Sequence, residues 1–156
     1  MLFRSRCAPD ATVAVGDARL SLEREERRSL DILALDAFSS DAVPMHLLTR
    51  EAFAVYGRAL QPKGVLVVHI SNRFIDLAPV VAAAARDGGW QAMALHHVPS
   101  ILDRDESRST WIAMSRDPHT SETIRRDGGD WRRLRGPRGF DGWSDDYASI
   151  LPLLTF

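Results

Sequence analysis

Two carboxylates and two hydroxyls stand close together in one short stretch of the chain. Asp36, Ser39, Ser40 and Asp41 follow the apolar run from Ile32 to Leu35. An uninterrupted apolar run of this length predicts a strand buried on both faces, as in the middle of a parallel sheet. Ligands of open α/β sheets bind at the carboxyl ends of such strands, where a carboxylate can orient an amine and accept its proton. The alternative is that both aspartates are ordinary turn and cap residues.

The regions around this stretch alternate between strand-like and helix-like patterns. Apolar and β-branched runs predict strands at 12–15, 32–35, 65–70, 90–98 and 110–116, whereas apolar residues at helical spacing predict helices at 18–28, 49–60, 77–86 and 120–126. The polar link at 99–109 is too short for a crossover helix, so the last two strands should form an antiparallel hairpin. The order predicts one α/β domain over 1–156, a doubly wound and mostly parallel sheet, with an irregular N-terminus at 1–11 and an irregular tail at 128–156.

The composition narrows the classes of function. The chain has 156 residues and a net charge of -1, which gives no electrostatic reason to expect nucleic acid as a partner. A single cysteine, Cys7, fits a reducing compartment, and no apolar run approaches the roughly 18 residues that cross a membrane. The first residues lack the apolar core of a signal peptide. These features predict a cytoplasmic protein.

Two segments resemble one protein family. Residues 36–53, which read Asp-Ala-Phe-Ser-Ser-Asp-Ala-Val-Pro and onward, resemble the catalytic loop and following helix of spermidine synthase-like proteins, and residues 143–151 resemble their closing segment. These proteins are polyamine aminopropyltransferases with a methyltransferase-type Rossmann fold, and the subgroup resembled here is often fused to a transporter-like membrane half. The resemblance implies that the strands of this chain are the third to the seventh of that fold. The first two strands are then absent, and the chain contains no Gly-x-Gly-x-Gly run.

The resemblance also assigns roles to residues. It implies that Asp36 is the catalytic acid and that Asp41 binds the charged ends of a diamine, with Ser39 and Ser40 in the same loop. It implies decarboxylated S-adenosylmethionine as cosubstrate and no metal. Both serines are more typical of turn formers than of nucleophiles, because no Gly-x-Ser-x-Gly sequence surrounds them.

Two further positions belong to the implied site. Asp17, followed by Ala18, occupies the place of the family's acid that accepts hydrogen bonds from the adenine amino group, although Gly-Asp is also an ordinary turn and helix N-cap. Asn72 follows the strand at 65–70 and should line the same crevice as Asp36. The well-characterised synthases have Gln near this place, so the departure leaves the amine open. His69, inside the strand, is expected to be a core histidine satisfied by a neighbour.

Other functions stay open from the sequence. One alternative is a methyltransferase-like protein that uses S-adenosylmethionine. Another is a non-catalytic half-domain, self-associating or docked on a partner chain that supplies the absent strands. Without the Gly-rich strand, the isolated chain is expected to show no measurable binding of an S-adenosyl ligand. Trp143 and Tyr147 are expected to pack on the sheet, with Asp145 and Asp146 solvated, rather than to close over a pocket.

Overall fold

The structure is a computed structural model that describes residues 10–36, 43–99, 107–127 and 129–155. The described residues form α-helices α1 (Ala18–Arg24), α2 (Arg50–Ala59), α3 (Ala78–Asp87) and α4 (Pro118–Asp127). They form strands β1 (Leu30–Leu35), β2 (Leu60–His69), β3 (Gln91–His97), β4 (Ser109–Ser115) and β5 (Arg132–Arg133). Two short 3-10 helices complete the set, at Met45–Leu47 and Leu151–Leu153. Within these ranges, no helix is both long enough and apolar enough to cross a bilayer.

The five strands form one sheet in the order β1-β2-β4-β3-β5. Strands β1 and β2 are parallel, whereas the pairs β2–β4, β4–β3 and β3–β5 are antiparallel. In the methyltransferase-type fold the seventh strand is inserted antiparallel between the fifth and the sixth. The observed β1-β2-β4-β3 order is that of the fourth, fifth, seventh and sixth strands. The predicted fold class and its closing hairpin are therefore confirmed, and the parallel part among the described residues is the single pair β1–β2.

The predicted strand at 12–15 is wrong. These residues form neither helix nor strand, and the side chains of Val13 and Val15 are 55% and 97% exposed. A strand requires a neighbour for its backbone hydrogen bonds. In the expected order two strands would lie between this segment and β1, and no described strand occupies that side of β1. The local β-propensity therefore finds no hydrogen-bonding partner.

Two boundaries differ from the predictions for tertiary reasons. Helix α1 ends at Arg24 rather than at 28, because the Arg58 guanidinium binds the carbonyl oxygens of Leu22, Glu23 and Glu25 at 2.8 to 2.9 Å. Strand β2 begins at Leu60 rather than at 65, and residues 61–64 form an irregularity inside it. Leu30 pairs with Leu60 but Ile32 pairs with Val65, so the extra residues of β2 bulge out of the ladder.

The hydrophobic core lies between the sheet and the helices α2 and α3. Leu66, Val68 and Met114 on the strands join Phe53 and Tyr56 of α2 in one buried cluster. Thr49 caps α2, because its Oγ1 accepts a hydrogen bond from the backbone nitrogen of Ala52 at 3.2 Å. This packing holds α2 against β2 and α3.

The tail beyond residue 128 is mostly irregular but adds to the sheet. Strand β5 pairs with β3 at the edge far from β1, and Leu154 forms an isolated antiparallel bridge with Ile75. Trp143 is 2% exposed and its indole nitrogen donates to the carbonyl oxygen of Ser149 at 3.0 Å. The tail is thus part of the packed domain.

Candidate functional site

Asp36 and His69 meet where the two parallel strands end. Leu35 of β1 is in register with Val68 of β2, so the next residues, Asp36 and His69, stand side by side. Their Oδ1 and Nδ1 atoms are 2.7 Å apart. The carboxylate side chain is 60% exposed, whereas the imidazole is 20% exposed. A half-buried ring therefore holds a carboxylate that still reaches solvent.

The His69 ring is positioned from three sides. Its Nε2 lies 2.6 Å from Ser71 Oγ, and its plane stacks on Trp111 with the ring centroids 4.6 Å apart. Ser71 Oγ in turn accepts a hydrogen bond from the backbone nitrogen of Thr110 at 2.8 Å. The Ser71 hydroxyl can then donate to Nε2, which leaves the Nδ1 proton for Asp36. Hydrogen bonds therefore connect Asp36 to His69 and His69 to Ser71.

The prediction for His69 is confirmed in part, because a neighbour does satisfy the ring. The side-chain pattern alone did not identify Asp36 as that neighbour, nor Ser71 and Trp111 as the groups that orient the ring. A signal was present in the sequence. Asp36 and His69 both come at the end of apolar runs that were predicted to be adjacent parallel strands.

Asn72 shapes the loop after β2. Its Oδ1 accepts hydrogen bonds from the backbone nitrogens of Phe74 and Ile75 at 2.9 and 3.0 Å. Together with Ser71 it lines a cleft of about 350 Å³ between this loop and the ends of β3 and β4. Asn72 therefore lies on the same rim of the sheet as Asp36, one residue from Ser71. Ser39, Ser40 and Asp41 lie outside the described residues.

Asp17 is the N-cap of α1, which begins at Ala18. Its Oδ1 accepts a hydrogen bond from the Leu20 backbone nitrogen at 2.9 Å, and its Oδ2 lies 3.0 Å from Nε2 of His46. The Leu20 hydrogen bond is the main reason that the pKa of Asp17 lies below its usual value. His46 belongs to the short helix that follows the loop after β1, so Asp17 lies on the carboxyl rim. A role for Asp17 and Ala18 in binding the cosubstrate stays a prediction.

The C-terminal tail is clasped to this rim by a charged pair. The Arg19 guanidinium binds both carboxylate oxygens of Asp145, at 2.7 and 2.6 Å, and Thr49 Oγ1 donates to Asp145 Oδ1 at 2.7 Å. These hydrogen bonds, with Arg19 first, lower the pKa of Asp145 to about 2. Two backbone contacts add to the clasp: Arg50 N to the Trp143 carbonyl at 2.9 Å, and Asp145 N to Glu51 Oε2 at 3.0 Å.

The expectations for the tail are resolved residue by residue. Trp143 packs in the core, as expected, but Tyr147 is 69% exposed and does not. Asp145 is exposed to solvent, as expected, but it also pairs with Arg19, which lies across the rim. Arg19 was not singled out in the sequence, since its partner is far away along the chain. Among the described residues, no group of His, Cys, Asp and Glu is arranged to hold a metal ion.

Comparison with known proteins supports the fold. No protein-family model matches the chain. The comparison with curated protein sequences finds no match. Among solved structures, the chain is similar to a crystal structure of a probable spermidine synthase from Corynebacterium glutamicum, with a TM-score of 0.58 and 19% identity. The similarity covers 92% of this chain and 57% of that one.

The fold and the strand order define the class of α/β proteins with a Rossmann-like, methyltransferase-type sheet. Within that class, the chain has a spermidine synthase-like fold. At this identity the likeness concerns the fold alone.

Proposed function

We propose that the chain carries the catalytic rim of a spermidine synthase-like aminopropyltransferase. The substrates would be decarboxylated S-adenosylmethionine and a diamine such as putrescine. The observation that carries the proposal is the contact between Asp36 Oδ1 and His69 Nδ1, 2.7 Å long, at the carboxyl ends of adjacent parallel strands. This is the place where the fold binds small molecules, and the acid there is partly exposed and held by an oriented ring.

The proposed reaction uses the chain's residues for orientation and proton transfer. A neutral amine nitrogen forms a bond to the aminopropyl carbon next to the sulfonium, and the carbon–sulfur bond breaks with its electron pair going to sulfur. The attacking nitrogen then loses a proton, which Asp36 accepts. His69 fixes the direction of the carboxylate, because Ser71 and Trp111 fix His69. The products are a neutral thioether, which carries the sulfur of the former sulfonium, and a longer polyamine.

The residues around Asp36 fit a cationic amine. Asp36 would supply negative charge to the ammonium end of the substrate, and Asp41 has the same predicted role. The loop that contains Asn72 lines the neighbouring cleft. Asp17 has one oxygen on Leu20 and one on His46, yet each carboxylate oxygen can accept a second hydrogen bond from an adenine amino group. A cytoplasmic location for this reaction remains a prediction.

The test is a product assay. Two preparations are incubated with decarboxylated S-adenosylmethionine and putrescine. One is the purified chain, and the other is the protein isolated from its own cells together with any partner chain bound to it. Formation of methylthioadenosine together with spermidine supports the proposal, and its absence from both preparations contradicts it. An arm with S-adenosylmethionine separates the methyltransferase-like alternative, because that activity releases S-adenosylhomocysteine instead.

A specific observation favours a second, non-catalytic candidate. Among the described strands, β1 is paired on one side only, and its outward Ile32 is 67% exposed. An open strand edge beside exposed apolar side chains pairs readily with another strand, from a second copy or a partner chain. We expect sedimentation to show concentration-dependent association of the chain, weakened by Ala34→Lys on the same exposed face of β1. A strictly monomeric profile at high concentration would count against this candidate.

A further inference from the structure

The rim opposite Asp36 contains a cleft lined by arginines. At this rim β1, β2 and β3 begin and β4 ends. Arg27, Arg28, Arg58 and Arg116 line a cleft of about 310 Å³, together with Trp90 and the start of β2. None of the lining residues is acidic. Since the whole chain has a net charge of -1, the positive charge of this cleft is a local concentration.

The four guanidinium groups have no carboxylate partner in the described part of the chain. Arg58 binds the carbonyl oxygens at the end of α1, and Arg116 donates to the carbonyls of Gly88 and Gly57 at 3.0 and 3.4 Å. No described hydrogen bond engages the side chains of Arg27 and Arg28. Carbonyl oxygens orient a guanidinium but do not neutralise it, so like charges face one cleft without a counter-ion.

The cleft is built into the packing. The Arg116 guanidinium lies 4.4 Å from the ring centroid of Trp90 and presses against α2 at Gly57, where a Cβ atom would stand only 2.6 Å from Arg116 Nη2. Glycine at 57 therefore leaves the space that this arginine occupies. Burial lowers the pKa of Arg116 from its usual value, although the group stays charged at neutral pH. The Trp90 Nε1 atom is buried without a hydrogen-bond partner in the described part of the chain.

We propose that this cleft binds a small ligand with two or more phosphate groups. Guanidinium forks match pairs of phosphate oxygens, and several arginines around one cleft suit a multivalent anion better than a single charge. Arg58 and Arg116 are held in place by the fold, whereas no described group engages the side-chain donors of Arg27 and Arg28, which can turn to the ligand. The cleft volume is that of a small-molecule site. This site is independent of the proposed chemistry at Asp36, because it lies at the opposite ends of the same strands.

The test measures pyrophosphate binding to the full chain by calorimetry at low salt, with a second arm using adenosine diphosphate. We expect saturable, stoichiometric binding that weakens steeply with added salt. The double variant R27Q/R28Q should weaken it at least about tenfold, since it removes two groups able to make charge-assisted hydrogen bonds. Tighter binding of the nucleotide than of pyrophosphate would identify a nucleoside as part of the ligand, and equal binding would identify the phosphates alone.

The matched control is R135Q/R138Q. Both residues are exposed, lie outside the cleft and have no described partner. The control also replaces two arginines by glutamine, so it changes the net charge by the same amount as R27Q/R28Q. The control should bind pyrophosphate as the parent does. The variant R27K/R28K keeps the charge but loses the guanidinium fork, so its affinity should lie between those of the parent and R27Q/R28Q. Absence of saturable binding, or equal weakening by the two double glutamine variants, would overturn the proposal.

Discussion

The two rims of the sheet carry opposite kinds of polar group. At the carboxyl rim, Asp36, His69 and Ser71 satisfy one another through hydrogen bonds of 2.6 to 2.7 Å. At the amino rim, Arg58 and Arg116 donate to carbonyl oxygens, Arg116 also stacks on Trp90, and the side chains of Arg27 and Arg28 have no described partner. The carboxyl rim contains a hydrogen-bonded network around an acid, and the amino rim contains several positive charges without a described negative partner. The same strands thus present a partly exposed carboxylate at one end and a group of arginines at the other.

The rims also differ in what holds them. The carboxyl rim is closed by the tail, through buried Trp143 and through the Arg19–Asp145 pair. The amino rim is held by stacking of Arg116 on Trp90 and by the close approach to Gly57. Long-range contacts from the far end of the chain therefore support one rim, and packing around a single glycine supports the other. Substitutions at one rim should therefore leave the other rim unchanged.

Identical substitutions at the two ends of β1 should have very different effects. We expect Asp36→Asn to lower the rate of methylthioadenosine formation about a thousandfold, because the amide cannot accept the proton of the amine. The matched control Asp31→Asn changes the same charge at the other end of the strand and should retain the parent rate. Pyrophosphate binding should be unchanged by Asp36→Asn. Equal activity of the two variants would remove Asp36 from the chemistry.

The tail should stabilise the protein through one aromatic residue and not the other. Trp143→Ala removes a side chain that is 2% exposed, and we expect it to lower the free energy of unfolding by at least about 3 kcal/mol in chemical denaturation. Tyr147 is 69% exposed, so Tyr147→Ala should change the same quantity by less than about 0.5 kcal/mol. Similar losses from both would show that the tail packs differently.

The smallest expected effect concerns the charged clasp of the tail. The pKa of Asp145 is about 2 in the folded chain against its usual 3.8, so the pair stabilises the fold above pH 4 and this stabilisation is lost as the pH falls toward 2. Asp145→Asn should lower the free energy of unfolding at neutral pH by about 1 kcal/mol, a modest value because the carboxylate is 42% exposed.

The measurement is the difference in free energy of unfolding between Asp145→Asn and the parent at a series of pH values. That difference should shrink between pH 4 and pH 2, where the parent also loses the charge of Asp145. The matched control is Asp146→Asn, which removes the same charge from the neighbouring exposed position. A difference that stays constant down to pH 2 would mean that Arg19 does not hold Asp145 charged.

The sequence predicted the local elements well where side-chain patterns decide them. The apolar runs at 32–35 and 65–70 became adjacent parallel strands, and the polar link at 99–109 did separate the two strands of an antiparallel hairpin. The helix predicted at 49–60 is observed as α2, and Thr49 before it is the N-cap because its hydroxyl satisfies a free backbone nitrogen. The β-branched run at 12–15 failed because strand formation depends on a neighbour, which propensity does not supply.

The sequence by itself determined that Asp36 follows a strand and that Glu and Arg share a charged block at 23–28, since both are matters of local order along the chain. The prediction that this strand is buried on both faces is wrong, because Ile32 is 67% exposed and Ala34 on the same face is exposed too. Only the tertiary structure decided that His69 would hold Asp36, that Arg19 would reach Asp145, and that Arg116 would join Arg27 and Arg28 around one cleft. Strand register and the return of the tail bring these residues together across long stretches of chain. Side-chain patterns specify which face of an element is buried, but pairing across such distances is set by how the elements pack.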